Sequence, residues 1–143
     1  RLNAWNGEAG LAHGPVLIQA QFTGMDLQRG ALPSLKFSGQ TLQAAWLVTG
    51  GRYDYSRGTG NFSGPDLKRN RLALELAARY SRLDLADGAF DAGTGRAFTA
   101  AANAYWGRNL RVMLDYTRTT VRFAGLVPQQ TTNTGVARFQ INF

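Results

Sequence analysis

The chain has 143 residues, sixteen basic against nine acidic side chains, a formal net charge of +7 and no cysteine. The lack of cysteine excludes disulfides and thiolate metal sites, and a single histidine leaves no convincing zinc cluster. The longest apolar stretches carry polar interruptions and fall short of the roughly eighteen residues of a membrane helix. This excludes a helical membrane protein but leaves a membrane β-barrel open.

Arginine supplies fourteen of the sixteen basic residues. Its planar guanidinium suits bidentate binding of phosphate or carboxylate, although a coding bias would give the same ratio. In either case the net charge predicts attraction for anions. Nucleic acid is not expected as a partner, because no base-stacking motif accompanies the charge.

Segments in which apolar and polar residues alternate recur along the chain and predict seven β-strands. The first two, residues 3–13 and 16–28, flank a tight turn at 14–15. A loop at 29–36 precedes the third predicted strand at 37–49. The following stretch, residues 50–70, is rich in glycine, serine and asparagine and predicts the longest irregular connection.

Residues 71–84 contain good helix formers, so a helix competes with a strand there. The strict alternation of Leu72, Leu74 and Leu76 with Ala73, Glu75 and Ala77 favours the strand. The remaining predicted elements are a loop at 85–95, a strand at 96–106, a turn at 107–109, a strand at 110–121, a loop at 122–131 and a strand at 132–143.

The predicted connections alternate between short and long. Short turns at one end and long loops at the other are typical of outer-membrane barrels. A soluble barrel shows the same alternation with its faces inverted. Mid-strand charges on the polar face exclude a dry barrel interior, but they would suit a solvent-facing surface. Aromatic residues near strand ends on the apolar face suit girdles at the membrane interfaces, namely Trp46, Tyr80, Phe98, Trp106, Tyr116 and Phe143.

Several segments resemble the phosphate-selective porin O/P family: ALELAARYSRLDLADGAF, LRVMLDYTR, HGPVLIQAQF, FSGQTLQAAWLVTGGRYDY and the closing RFQINF. The resemblance runs from about Glu8 to Phe143. It implies an all-β fold, a transmembrane antiparallel up-and-down barrel of about sixteen strands. It also implies a homotrimer in the outer membrane of a Gram-negative bacterium.

Seven strands are an odd number, whereas bacterial single-chain barrels use even counts. The resemblance therefore implies that residues 1–143 are the C-terminal part of a single barrel domain whose N-terminal strands are absent. It also implies a closing aromatic strand that signals outer-membrane assembly, with Phe143 at the periplasmic rim. The loops at 29–36, 85–95 and 122–131 would then be extracellular.

The predicted function is diffusion of small anions, with phosphate and polyphosphate as candidates, and no reaction is expected because no serine has a histidine base nearby. Arg79, Arg111 and Arg138 share the inward parity and would raise the anion concentration in the lumen. Pairing with carboxylates in a wall network is the alternative, and the network residues are Glu75, Asp115, Asn103 and Gln140.

Arg82 and Arg118 have the lipid-facing parity, beside Tyr80 and Tyr116. A charge at the bilayer midplane costs roughly 2–4 kcal/mol, falling towards zero near the interface. These arginines are therefore expected to contact lipopolysaccharide phosphates or to snorkel into the headgroup zone. Asp84, Asp87 and Asp91 lack the full pattern of a calcium loop, and no metal or cofactor is expected.

Two other functions stay open. An outer-membrane structural or adhesive barrel would show no selective transport, whereas a soluble β-sandwich binding module would fold in water without detergent. The basic residues that flank the longest connection would either capture anions at the pore exit or form a solvated loop, namely Arg52, Arg57, Lys68, Arg69 and Arg71.

Overall fold

The computed structural model describes residues 1–58, 60–62, 72–88, 90–107, 109–123, 125 and 128–141. The strands in this part of the chain are β1 (Leu2–His13), β2 (Val16–Arg29), β3 (Leu32–Leu47), β4 (Tyr55–Ser56), β5 (Asn61–Phe62), β6 (Leu72–Asp87), β7 (Phe90–Trp106), β8 (Leu110–Arg122) and β9 (Gln130–Ile141). No helix that could span a membrane occurs in the described residues.

Seven strands form one antiparallel up-and-down sheet in the order β1-β2-β3-β6-β7-β8-β9, and β4 pairs with β5 as a separate ribbon. The predicted all-β fold is confirmed, and β6 confirms a strand where a helix competed. A β-sandwich packs two sheets face to face, which the described ranges do not do. The sheet is not closed, because β1 and β9 each pair with one neighbour.

Two predicted loops are wrong. β2 and β3 are joined by residues 30–31 alone, whereas the sequence predicted a loop at 29–36. The predicted loop at 85–95 belongs mostly to β6 and β7, which are joined by residues 88–89. Both connections begin with glycine, which a common two-residue hairpin turn requires at its first position.

β-bulges explain why the alternation failed at these hairpins. The register shifts between Leu27 and Arg29 in β2, and between Asp84 and Ala86 in β6. A bulge inserts an extra residue and breaks the period of two on which the prediction relied. The expected contrast between short turns and long loops therefore fails, because two of the three connections at this end are short.

The two ends of the sheet differ in their connections. We call the end with residues 30–31, 88–89 and 123–129 the hairpin end, and the opposite end, which carries the connection 48–71, the long-segment end. β3 and β6 have 16 residues each and β7 has 17. About 9–11 tilted residues cross a bilayer, so these strands are long enough to project beyond it.

Residues paired directly across neighbouring strands share a face of the sheet. One row on the inner face is polar across almost every strand: Gly10, Gln19, Gln43, Arg79, Thr99, Thr117 and Thr134. One row on the outer face is apolar over six strands: Val16, Trp46, Leu76, Ala102, Leu114 and Ala137.

The chain covers its polar face and leaves its apolar face bare. The buried side chains Leu47, Ala73 and Met113 lie on the inner face, close to the long-segment end. On the outer face Leu42 and Leu114 are each 54% exposed. Such a broad exposed apolar surface requires a non-aqueous neighbour. The alternation alone did not show whether the apolar face lies outside or inside the barrel. The exposed apolar face favours a membrane barrel, whose outer surface contacts lipid.

The two short hairpins are tied together at the hairpin end. The backbone N–H of Lys36 donates to Oδ2 of Asp87 at 2.6 Å. The Phe37 and Phe90 rings pack at 6.0 Å between centroids, and the Arg29 guanidinium lies 5.9 Å from the Phe90 ring centre. These contacts support strand ends that extend past the apolar band.

On the outer face, Trp5 lies flat over the glycine that pairs with it. Gly24 is opposite Trp5 in the register, and a Cβ at position 24 would overlap the indole ring. The indole also stacks on Phe22 at 5.1 Å between ring centroids. An aromatic ring that covers a cross-strand glycine shields the backbone of that glycine.

We expect Gly24→Ala to destabilise the protein by about 1–3 kcal/mol, because the added methyl displaces the Trp5 ring. Thermal unfolding in detergent measures this. Gly7→Ala is the matched control, since a Cβ at Gly7 meets nothing within 4 Å. In a Trp5→Ala background the cost of Gly24→Ala should disappear; an equal cost in both backgrounds would contradict this account.

Candidate functional site

After β3 the chain turns onto the inner face. The N–H of Val48 still donates to the Leu74 carbonyl at 2.8 Å, as if the strand continued. Gly50 and Gly51 then adopt φ values of 78° and 122°, which favour glycine and reverse the chain. The N–H of Tyr53 next reaches the Gly14 carbonyl at 3.3 Å. We call the described residues 48–58 and 60–62 the inner segment.

A buried carboxylate anchors the inner segment. Glu75 is 7% exposed, and its Oε2 accepts a hydrogen bond from the Tyr53 hydroxyl at 2.7 Å. Its Oε1 accepts from Asn103 Nδ2 at 2.6 Å and from the Tyr105 hydroxyl at 3.2 Å. A buried carboxylate is tolerated only when such donors compensate its lost hydration. Asn103 and Tyr105 thus hold the carboxylate on the sheet, and the hydrogen bond from Tyr53 ties the inner segment to it.

The Tyr53 hydroxyl is held in its donor form. Burial, followed by the hydrogen bond to Glu75 and the charge of Glu75, raises the pKa of Tyr53 well above its ordinary value. Tyr53 is itself 7% exposed. The contact that anchors the inner segment is thus present across the whole physiological pH range.

The β4–β5 ribbon continues along the inner face towards β1. Its Tyr55 and Phe62 rings pack at 5.2 Å between centroids. The Phe62 ring lies against Gly10, where a Cβ would meet it at 2.5 Å. Phe62 also lines two cavities with Gln19 and Gln43, whose side chains hydrogen-bond each other.

Two predicted pore arginines line one cavity beneath the inner segment. The cavity has a volume of about 380 Å³, and Arg79, Arg111 and Tyr53 are among its lining residues. Arg79 also lines a neighbouring cavity of about 430 Å³. The Arg111 guanidinium lies 4.7 Å from the centre of the Tyr105 ring.

Glu75 also lines this cavity, but neither cavity arginine forms an ion pair with it or with Asp115 in the part of the chain that the structure describes. Within the described ranges, the ion pairs are Arg52–Asp54, Arg82–Asp84 and Arg122–Asp91. Arg79 instead donates from Nε to the Ser81 hydroxyl at 3.2 Å. Nε of Arg111 is buried without a hydrogen-bond acceptor in this part of the chain. Two guanidinium groups against the one carboxylate of Glu75 leave the cavity lining with a net positive charge.

The other residues expected in the lumen are more dispersed. Arg138 lies on the inner face of the edge strand β9, opposite Met113 of β8, and does not line the cavity. Of the expected network, Glu75 and Asn103 are in contact. The remaining two, Asp115 and Gln140, pair with Val136 and Arg111 in the β8–β9 register.

Only part of the expected aromatic pattern has the expected position. Trp46 and Trp106 lie at strand ends, whereas Tyr80, Phe98 and Tyr116 lie in mid-strand. For Tyr80 and Phe98 the reason is that β6 and β7 extend beyond the predicted bounds, whereas Tyr116 is already central in the predicted strand at 110–121. Trp106 and Phe98 are separated by roughly 27 Å along β7. At a tilt of about 40° this separation spans about 21 Å across the membrane, somewhat less than the roughly 25 Å of the apolar band of such barrels. Phe143 lies outside the described residues.

The basic residues that flank the longest connection form no site in the part of the chain that the structure describes. Arg52 pairs with Asp54 at 3.0 Å, and Arg57 is exposed on the inner segment. Lys68, Arg69 and Arg71 lie outside the described residues. No group of three potential metal ligands occurs in the part of the chain that the structure describes.

The sequence analysis missed Tyr53, Tyr55 and Phe62 as parts of the site. The segment was interpreted as an irregular connection because glycine and serine dominate it. Three aromatic residues inside a glycine-rich connection are the signal that was available, because large apolar rings in a long loop usually pack against something.

The sequence profile described as phosphate-selective porin O and P matches residues 2–143. The chain belongs to this porin family. No curated protein matches the chain. The family comprises phosphate-selective outer-membrane channels and is not a family of enzymes.

We expect Tyr53→Phe to loosen the inner segment of this porin. It removes one of the three donors to Glu75, which costs about 1–3 kcal/mol for a buried acceptor. Single-channel recordings should show larger or noisier conductance. Tyr55→Phe is the matched control, because Tyr55 is 56% exposed and its hydroxyl makes no hydrogen bond within the described residues. Identical recordings from both variants would contradict the claim that the Tyr53–Glu75 hydrogen bond anchors the inner segment.

The anchor should also give stability a specific pH dependence. The raised pKa keeps the Tyr53 proton in the folded state after the unfolded chain loses it at about pH 10. The contribution of Tyr53 is therefore complete below pH 10 and declines above it. The difference in unfolding temperature between parent and Tyr53→Phe should narrow above pH 10. A difference that stays constant up to pH 11 would refute this assignment.

Proposed function

We propose that small anions, inorganic phosphate among them, diffuse along the inner face of this sheet through a positively charged lumen. The observation that carries the proposal is the pair Arg79 and Arg111, which line one cavity with Glu75 as its single carboxylate and form no ion pair within the described residues. Unneutralised arginines raise the local anion concentration and repel cations. Arg138 adds a third positive charge to the same face.

The inner segment supports selectivity by narrowing the path. It brings Tyr53 and Phe62 over the polar rows, so a solute must pass close to Arg79. The free edge of each guanidinium offers the paired donors that suit phosphate. Polyphosphate would engage Arg79 and Arg111 through successive phosphate groups and is the longer substrate that we include in the proposal.

We further propose that the seven strands are the C-terminal part of the wall of a larger barrel. β1 and β9 are 12-residue edges with unpaired backbone groups on one side. Hydrocarbon does not tolerate an open sheet edge. Further strands would complete the wall, which by family resemblance belongs to a homotrimer in a Gram-negative outer membrane. Its closing strand would engage the assembly machinery.

The reversal potential across a KCl gradient in planar bilayers tests the proposed anion lumen. The parent should be anion-selective, and phosphate at low concentration should block chloride current. Arg79→Gln combined with Arg111→Gln should move the reversal potential towards zero, because the two charges facing the cavity are gone. We expect the anion-to-cation permeability ratio to fall by about three- to tenfold.

Two controls make the result specific. Lys36→Gln removes one positive charge from the outer side of the hairpin end and should leave the reversal potential unchanged. Arg79→Lys retains the charge and should preserve anion selectivity while weakening block by phosphate, since lysine lacks the planar fork. An unselective or cation-selective parent would refute the proposal and would favour a structural or adhesive barrel.

A further inference from the structure

The outer face becomes basic immediately beyond the mid-strand aromatic residues. Arg82 of β6 lies directly opposite Arg96 of β7, one outer-face position beyond the paired Tyr80 and Phe98. Arg118 of β8 lies opposite Phe98, and Arg122 lies opposite Thr94. We call Arg82, Arg96, Arg118 and Arg122 the outer arginine cluster.

The outer arginine cluster carries more positive charge than its neighbours neutralise. Arg82 pairs with Asp84 at 3.0 Å, and Arg122 approaches Asp91 at 3.9 Å. Arg96 and Arg118 form no ion pair with any described residue. Like charges placed directly opposite each other destabilise a strand pair. An anion between Arg82 and Arg96 would reverse that repulsion.

The geometry of this region provides a receptive surface. A cleft of about 230 Å³ is lined by Arg82, Arg96 and Arg122, together with Thr94 and Thr120. The threonine hydroxyls add neutral donors beside the guanidinium groups. Tyr80 also lines this cleft and, with its partner Phe98, separates it from the apolar rows of the outer face.

The position of the cluster along the strands identifies its environment. On β6 and β7 the outer-face residues between the long-segment end and Tyr80 or Phe98 are all apolar, apart from the terminal Trp106 indole N–H. Arginine at the bilayer midplane is strongly disfavoured, whereas arginine at the interface is tolerated. The cluster therefore lies at headgroup level, where lipid phosphates are the abundant anions.

We propose that the outer arginine cluster binds a membrane glycolipid with two phosphate groups, of the lipid A type, whose acyl chains lie along the apolar outer face. Four guanidinium groups and two carboxylates leave two positive charges in the cluster. This excess favours a bis-phosphorylated headgroup over a lipid with a single phosphodiester. Arg82 and Arg96 would share one phosphate, and Arg118 and Arg122 would face the second.

Native mass spectrometry of the full-length porin, purified in detergent without lipopolysaccharide, tests this binding. The protein is titrated with bis-phosphorylated lipid A, with the same lipid after removal of both phosphates, and with phosphatidylglycerol. The parent should bind bis-phosphorylated lipid A most tightly. Arg82→Gln combined with Arg96→Gln should weaken that binding about tenfold or more, because the shared phosphate loses its charge-assisted donors.

The control variant must lose two positive charges at a place outside the outer arginine cluster. Arg52→Gln combined with Arg57→Gln removes two positive charges from the inner segment and should bind lipid A as the parent does. The conductance of the Arg82/Arg96 variant should match that of the parent, which shows that the variant folds. If this variant fails to fold, Arg96→Gln alone is used, since Arg96 has no ion pair to lose within the described residues.

Several outcomes would overturn the proposal. In the first, the parent and the Arg82/Arg96 variant bind lipid A with the same affinity. In the second, the parent binds phosphatidylglycerol as tightly as lipid A. Displacement of lipid A by millimolar inorganic phosphate would also overturn it, because the cluster would then be a site for free phosphate. None of these outcomes bears on the reversal potential, so the anion lumen and the lipid site stand or fall separately.

Discussion

Hydrocarbon offers a peptide group no hydrogen-bond partner, and this constraint determines the form of the whole chain. The seven main strands meet it by pairing in sequence order, with antiparallel neighbours throughout. Once the strands are paired, side chains can only alternate between two faces. The apolar set is left bare, with Leu42 and Leu114 more than half exposed. The polar set is therefore left on the inner face, and the polar contacts of the chain are built from it.

A polar face offers little of the apolar packing that usually fixes a loop, and here a buried carboxylate takes over most of that role. Glu75 gathers hydroxyl and amide donors from the inner segment and β7. The desolvation that makes a buried charge costly also makes each of its hydrogen bonds strong. Because Tyr53 is held there, the ribbon that follows lies over Gly10 and the row containing Arg79. The position of the inner segment on the sheet thus depends on the hydrogen bonds of one buried carboxylate.

The sequence predicted the features that depend on a period of two and missed those that depend on contact between distant residues. Alternation placed Arg79 and Arg111 on one face and Arg82 and Arg118 on the other, as the register does. It failed at residues 29–36 and 85–95, where bulges interrupt the period and glycine-led turns shorten the connection. The Tyr53–Glu75 hydrogen bond could not be predicted, because no local sequence pattern around either residue indicates its distant partner.

The two arginine sets show how one residue type serves two environments. On the inner face a channel needs attraction that is weak enough to release each anion. Arg111 lies against the Tyr105 ring and Arg79 against a serine hydroxyl, neutral contacts that hold the guanidinium without cancelling its charge. On the outer face Arg82 confronts Arg96 at the edge of the apolar surface. An anion beside this pair would relieve the repulsion between the two guanidinium groups. At the membrane interface a lipid phosphate, unlike a permeating ion, is already confined to the membrane.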